Sequence, residues 1–226
     1  MAIQINGNGT ITGISVGGLP DGIVDTDMLA ANAVATAKIA DSAVATAKIA
    51  DSAVTATKAT GIGITEADQW RYNQDVTMGQ YAANLVTGWE RNDTEFEKIG
   101  TGMTVNTSTG QSNSGHWTFP STGKWLILVQ WQAERGSGNI SYGYHYIFAM
   151  NDGVQSNGFE LANSGCNCGR DSARQTAFMQ AIFDVTNTST HRVLFGHYDP
   201  GVHNTTYRGH TGRNENAYTF IKLGET

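Results

Sequence analysis

The chain has 226 residues, with 14 Lys and Arg against 20 Asp and Glu, a formal net charge of −6 and 39% apolar residues. No basic stripe interrupts this acidic balance, so a nucleic-acid partner is not expected. No apolar run approaches the roughly 18 residues of a membrane span, and MAIQINGNGT lacks a basic segment followed by an apolar one, so neither membrane insertion nor Sec-type secretion is expected.

Residues 1–22 alternate Ile3, Ile5 and later Ile11 with polar residues and glycines, which reads as a small attachment strand or hairpin turning at Gly7 to Gly9. Pro20, Asp21 and Gly22 mark a break, and IVDTDML at 23–29 resembles a degenerate first unit of a repeat. LAANAVATAKI at 29–39, IADSAVATAKI at 39–49 and IADSAVTATKA at 49–59 repeat every ten residues. As a helix, each repeat would rotate its apolar stripe by about 80°. As a strand, it would put Val44 and Ile49 on opposite sides. A compound unit fits better: an extended Ala-Val step, then a turn or short helical piece over TAKIA or TAKIADS, with Thr36, Thr46, Asp41 and Asp51 as caps. A few branched residues among alanines bury too little area for a stable single chain. The expectation for 23–60 is therefore a thin parallel bundle of identical chains with Val and Ile layers on its axis; a disordered low-complexity linker is the alternative.

Beyond residue 60 the composition changes. TGIGITEADQW at 60–70 supplies glycines as a hinge and the first tryptophan, and 71–100 reads as short strands and loops, with a helical option around Gly79 to Val86. Trp89, Phe96 and Ile99 can begin a sheet there, with Asn92 and Asp93 in a turn. HWTFP sets Trp117 and Phe119 on one face. In KWLILVQWQA, Trp125, Ile127, Val129 and Trp131 oppose Leu126, Leu128 and Gln130, so one face serves a core and the other a further layer or subunit. YGYHYIFAM at 142–150 places Tyr142, Tyr144, Tyr146, Phe148 and Met150 on one face, as core or intersubunit support or, alternatively, as an exposed sugar-binding row. RQTAFMQAIFDV opposes Ala177, Met179, Ala181, Phe183 and Val185 to Phe178, Gln180 and Ile182. HRVLFGHY, a long polar loop over 199–216 and a final strand AYTFIKL complete a pattern that points to an all-β sandwich.

Chemistry is sparse. Cys166 and Cys168 are too close for a relaxed disulfide and form a weak metal signal, so free thiols in a glycine-rich loop are expected. His197, Asp199, His203 and His210 lie in or beside one loop and are the best candidates for a metal or acid-base cluster, yet their Asn, Thr and Gly neighbours fit ordinary loop residues. Glu95, Glu97, Asp152 and Asp184 show no spacing diagnostic of glycosidase chemistry, and nucleotide, zincin and hydrolase motifs are missing. Tyr198, Tyr207, Arg208, His210 and Arg213 offer stacking and hydrogen-bonding groups for a glycan or protein receptor; closing the end of an assembly is the equal alternative. No catalytic, metal or cofactor residue is assigned, and an enzyme is not expected.

The spans SNSGHWTFPSTGKWLILVQWQA (112–133), FMQAIFDVTNTSTHRVLFGHY (178–198) and NAYTFIKLG (216–224) resemble the C1q and tumour-necrosis-factor-like jelly roll, particularly its versions in virion proteins of tailed bacteriophages. Phe119, Pro120, Gly123 and Trp125 match the family's aromatic strand, Pro, turn glycine and following aromatic. The ten-residue units resemble the AVTxAKIAD-type repeats of phage tail-fibre and appendage proteins. The resemblance implies a mostly β homotrimer: 1–22 an N-terminal segment attaching to other virion proteins, 23–60 a repeat stalk, and 61–226 a C1q/TNF-like jelly-roll knob meeting a host surface glycan or receptor protein. It places the protein on the virion, at the tail or capsid surface, as a fibre, a decorating protein or, least in keeping with its motifs, a surface-glycan hydrolase. Trimers of this family bury their inner sheets, which accounts for the second apolar face of the Leu126 strand. The 199–216 loop departs from the family pattern, and no dense Asp or Glu cluster supports a calcium loop.

Overall fold

In a computed structural model the described residues are 4–5, 11–12, 34, 39, 43–51, 53–54, 63–78, 83–93, 96–135, 143–166, 174–199 and 205–226. They divide into two units, Met1–Thr60 and Gly61–Thr226. In the first, β1 (Gln4–Ile5) pairs antiparallel with β2 (Ile11–Thr12), setting Ile5 opposite Ile11.

The repeat bends at Val34, Ile39, Val44, Ile49 and Val54. A ten-residue sequence period is thus a five-residue structural one, because each half-unit, Ala-Val-Ala-Thr-Ala or Lys-Ile-Ala-Asp-Ser, carries its branched residue at the second position. A 3-10 turn spans Thr46–Lys48, with the Lys48 amide donating to the Ala45 carbonyl at 2.8 Å, and the Ala53 amide donates to the Ala50 carbonyl at 3.0 Å. The 3-10 turn falls on the start of the TAKIA piece expected to turn or coil, the Ala50–Ala53 turn follows in ADS, and Val44 and Ile49 both lie at bends. All five branched side chains are 42–57% exposed. Full burial of such a side chain is worth about 1.5–3 kcal/mol, which a single chain does not collect here. The expected caps Thr36 and Asp41 lie outside the described residues.

The second unit is built from alternating apolar and polar positions that form β3 (Ala67–Tyr72), β4 (Val76–Met78), β5 (Ala83–Asn84), β6 (Trp89–Arg91), β7 (Lys98–Ile99), β8 (Thr104–Val105), β9 (Trp117–Thr118), β10 (Gly123–Arg135), β11 (Gly143–Met150), β12 (Phe159–Cys166), β13 (Arg174–Val185), β14 (Arg192–Tyr198), β15 (Thr205–Tyr207) and β16 (Ala217–Gly224). Every pairing among the described residues is antiparallel. One sheet runs from β13 through β10 to β16 and β3, with β15 and β4 continuing the β16 and β3 rows and β6 and β7 along the far edge of β3. The other runs β12-β11-β14-β9-β8, with β5 also on β14.

Between the sheets lies an aromatic core. Trp125, Ile127, Val129 and Trp131 of β10 point into it and meet Trp117, Phe119, Phe195 and Phe220. Trp117 takes Trp70 and Trp89 edge-on, at centroid distances of 5.1 and 4.8 Å, an arrangement favoured by the ring quadrupoles. Gly123 opens β10 at φ 138°, where a Cβ would strike the Gly224 carbonyl, so the glycine of the Pro-turn-aromatic pattern is a steric requirement.

Charged residues pin the strand edges. The buried Asp68 carboxylate accepts from Arg91 Nε at 3.0 Å, Trp70 Nε1 at 2.8 Å and the Met103 amide at 2.7 Å. Arg71, also buried, donates to Glu90 at 3.1 Å, to Asn92 at 3.2 Å and to the Thr211 carbonyl. Asn216 receives the Gln132 amide and donates to the Gln132 and Arg208 carbonyls. The Arg71 and Asn216 bonds fasten the described part of the 199–216 segment down at Arg208, Thr211 and Asn216. Instead of a plain polar loop it contains β15, which pairs with Ala133–Arg135 of β10 and with β4. The helical option near Gly79 to Val86 gives way to β5, whose Ala83 and Asn84 pair with β14; 79–82 lie outside the described residues.

Candidate functional site

Because side chains alternate across a strand, each sheet has an inner face turned to the core and an outer face. On the outer face of the first sheet, Leu126 lies between Ile182 and Ile221, with Ala67 beyond. The next rung is Gln180, Leu128, Thr219 and Gln69, where Gln69 Nε2 donates to Thr219 Oγ1 at 2.8 Å. Gln130 then lies between Phe178 and Ala217. A groove of about 520 Å³ crosses the Leu128 and Gln130 rungs. Phe178 is 70% exposed and Ile182 60%. Large apolar side chains this exposed on one face of a sheet are a candidate contact surface.

The outer face of the second sheet is different in kind. Tyr144, Tyr146 and Phe148 of β11 stand opposite Tyr198, Gly196 and Leu194 of β14. Tyr146 lies across Gly196, where any Cβ would collide with its ring. Tyr144 and Tyr198 pack at 5.1 Å with planes tilted by 35°, and Phe148 stands at 72° to Tyr146. These residues bound a cleft of about 170 Å³, with Gln155 and Glu160 at its rim. Burial, then the neighbouring Tyr144 and Glu160, holds the Tyr146 hydroxyl above the ordinary phenol range. The 142–150 aromatic row thus faces outward, away from the main core, and forms a small cluster of its own with Met150 and Leu194; Tyr142 lies outside the described residues.

The residues singled out for chemistry disperse. His197 and Asp199 are buried, and His197 Nδ1 shares a 2.6 Å hydrogen bond with the Tyr207 hydroxyl. His145, opposite His197 on β11, likewise meets the Tyr218 hydroxyl at 3.0 Å through Nε2. Burial lowers the His197 pKa to about 4 against the opposing pull of Asp199, and burial with the adjacent His197 lowers that of His145 well below the ordinary imidazole value. His210 stands apart in the loop, its Nδ1 accepting from the Gly212 amide at 2.8 Å. His203, Glu95 and Cys168 lie outside the described residues. Among the described residues no group of three or more His, Cys, Asp or Glu side chains is placed to hold a metal ion. Asp184 pairs with Lys124 at 2.8 Å, and Asp152 accepts from the Val154 amide and Asn157; Glu97 is exposed.

The proposed recognition row also divides. Tyr207 is fully buried, facing the core beside Trp131, because β15 draws the segment into the sheet; it is unavailable to a ligand. Arg208 pairs with Asp75 and Arg213 with Glu215, the latter at 2.6 Å. Tyr198 alone of that row reaches the aromatic cleft. Gln155 and Glu160 escape a sequence reading because Glu160 approaches through the β11–β12 register and Gln155 through the 3-10 turn Gln155–Asn157 between those strands.

No family model matches this chain, and no curated protein matches it. Among solved structures it is similar to an Eiger TNF from S. frugiperda, at 11% identity and a TM-score of 0.53, over 73% of this chain and 96% of that one. Murine APRIL at pH 5.0 aligns at 10% identity and a TM-score of 0.47, over 70% of this chain and 98% of that one. At 11% identity the first likeness speaks to the fold alone. Residues Gly61–Thr226 form a mostly β sandwich, and the chain carries a TNF/C1q-like jelly-roll fold.

Proposed function

We propose that the protein is a homotrimeric structural component of a tailed-phage particle, a fibre or appendage on the tail or capsid that contributes to host-surface attachment. The observation that carries this reading is the set of exposed branched side chains at five-residue intervals from Val34 to Val54. Their spacing belongs to repeats that resemble those of phage appendages, and their exposure calls for neighbouring copies. The outer face with Phe178, Leu126 and Ile182 supplies a second place for the same three-fold contact. Residues 1–22 would bind other virion proteins. Three sandwiches held together turn weak contacts with a cell surface into useful avidity without covalent chemistry, so no catalytic residue or cofactor enters the mechanism.

Gold-labelled antibodies against residues 61–226, imaged on intact particles, test the assignment. Label on tail or capsid projections is expected; particles that never carry the protein would remove it from the virion. Adsorption separates attachment from decoration: particles lacking the protein are expected to adsorb more slowly, whereas unchanged adsorption favours a decorating role.

A further inference from the structure

The cleft on β11 and β14 combines two chemistries in a small space. Its floor and ends are aromatic or aliphatic, from Tyr146, Leu194, Phe148, Tyr144 and Tyr198. Its rim holds an amide and a carboxylate, both fixed in advance. Gln155 exchanges hydrogen bonds with the Asn84 side chain at 3.2 and 3.4 Å. Glu160 accepts from Asn163 Nδ2, which leaves most of its lone pairs for another donor.

Two backbone features build this arrangement. Gly196 leaves room for the Tyr146 ring to lie flat against β14. The β11–β12 register shifts between Ile147 and Phe148, so that Glu160, and not Leu161, stands opposite Phe148. Such irregularities re-aim side chains.

A pyranose ring has the complementary surface, with an apolar C–H face for the aromatic floor and a hydroxyl edge for the rim. Electron-rich ring faces attract weakly positive C–H groups, while the carboxylate and amide orient the hydroxyls. At about 170 Å³ the cleft is smaller than the roughly 300–1,000 Å³ of drug-sized sites and suits a single ring. A protein partner would require a contact of about 800 Å² per side, far more than this hollow offers. Among the described residues Glu160 is the only charged one in the lining, and its sign disfavours acidic sugars.

We propose that this cleft binds one neutral hexopyranose ring of a surface glycan, a reading that rests on the attachment role given above and names its ligand class. The cleft and the Phe178 face lie on opposite outer faces of the sandwich. Three-chain assembly through the latter leaves three clefts turned outward for simultaneous binding.

Saturation-transfer NMR on the full-length chain with methyl glucoside, methyl galactoside, methyl mannoside and glucuronate tests this. At least one neutral glycoside is expected to receive saturation at its ring C–H protons, with glucuronate bound roughly tenfold more weakly. Tyr198→Ala is expected to weaken binding by about tenfold or more and Glu160→Gln by about threefold, while Asp184→Asn on the other sheet leaves it unchanged. If Tyr198→Ala fails to fold, Glu160→Gln decides. Silence from all three neutral glycosides, preference for glucuronate, unaltered binding in the deciding variant, or a host protein bound with no sugar signal would each overturn the proposal. Sugar binding that the cleft variants abolish, with no accompanying loss of particle adsorption, would uphold the cleft and overturn the attachment role.

Discussion

The two outer faces of the sandwich are built on the same antiparallel plan and end in opposite states. On the β11–β14 face the rings of Tyr144, Tyr146, Phe148 and Tyr198 cover one another, and only a small cleft stays open. On the β10–β13 face Phe178 and Ile182 stand apart, separated by Gln180, and neither finds cover among the described residues. Aromatic side chains facing a glycine can fold down and cover themselves; Phe178 and Ile182, set apart by the polar Gln180, do not. The first face therefore covers most of its own apolar surface, whereas the second keeps Phe178 and Ile182 in water, and the proposed trimer would cover it with another copy.

The sharpest way to break this contrast is to place a charge on each face in turn. Phe178→Asp and Ile182→Asp would bury an unpaired carboxylate at the proposed intersubunit contact, with an expected cost on the order of 3–5 kcal/mol and association weakened a hundredfold or more. Size-exclusion chromatography at low concentration is expected to show their dissociation, while Tyr198→Asp keeps the mass of the native protein.

How far the contrast could be seen beforehand depends on the element. The double apolar face of β10 is legible because strand geometry has a period of two and Leu126 and Leu128 stand opposite the apolar set Trp125, Ile127, Val129 and Trp131. The outward row of β11 is legible as a row, but its side of the sheet is not: Tyr144 and His145 are both aromatic, and only the packing shows that His145 faces the core. β15 is invisible in sequence because Thr-Thr-Tyr in a polar context carries no alternation, and its strand state comes from the edges of β10 and β4. The burial of Asp68 with Arg91 is hidden for a similar reason, since charges read as exposed until a partner is placed beside them.

Acid is the next lever, and it acts through two buried histidines of β11 and β14 that face the core beneath the aromatic face. His145 and His197 have folded pKa values below the unfolded value of about 6.5, so the folded state binds fewer protons. Their stabilising effect is complete above about pH 6.5 and falls as the pH drops towards about 4, where His197 alone accounts for roughly 3 kcal/mol of lost stability. Urea midpoints compared at about pH 7 and about pH 4.5 are expected to fall, and to fall less in His197→Gln.

Gly196→Ala probes how the aromatic face closes on itself. The added methyl collides with the Tyr146 ring, so a loss of about 1–3 kcal/mol in urea unfolding is expected together with a loosened cleft. An unchanged midpoint would mean that Tyr146 has another place to go. The smallest effect belongs to Asp184→Asn on the opposite sheet, which removes the exposed pair with Lys124. It is expected to shift stability by less than about 1 kcal/mol, and less still at high salt.

The central claim is that the exposed side chains of the repeat and of the β10–β13 face are covered by two further copies of the chain. Sedimentation equilibrium of the purified full-length protein measures this directly. The expected result is a single species of three times the 24.2 kDa chain mass, stable to dilution. A stable 24.2 kDa monomer would contradict it.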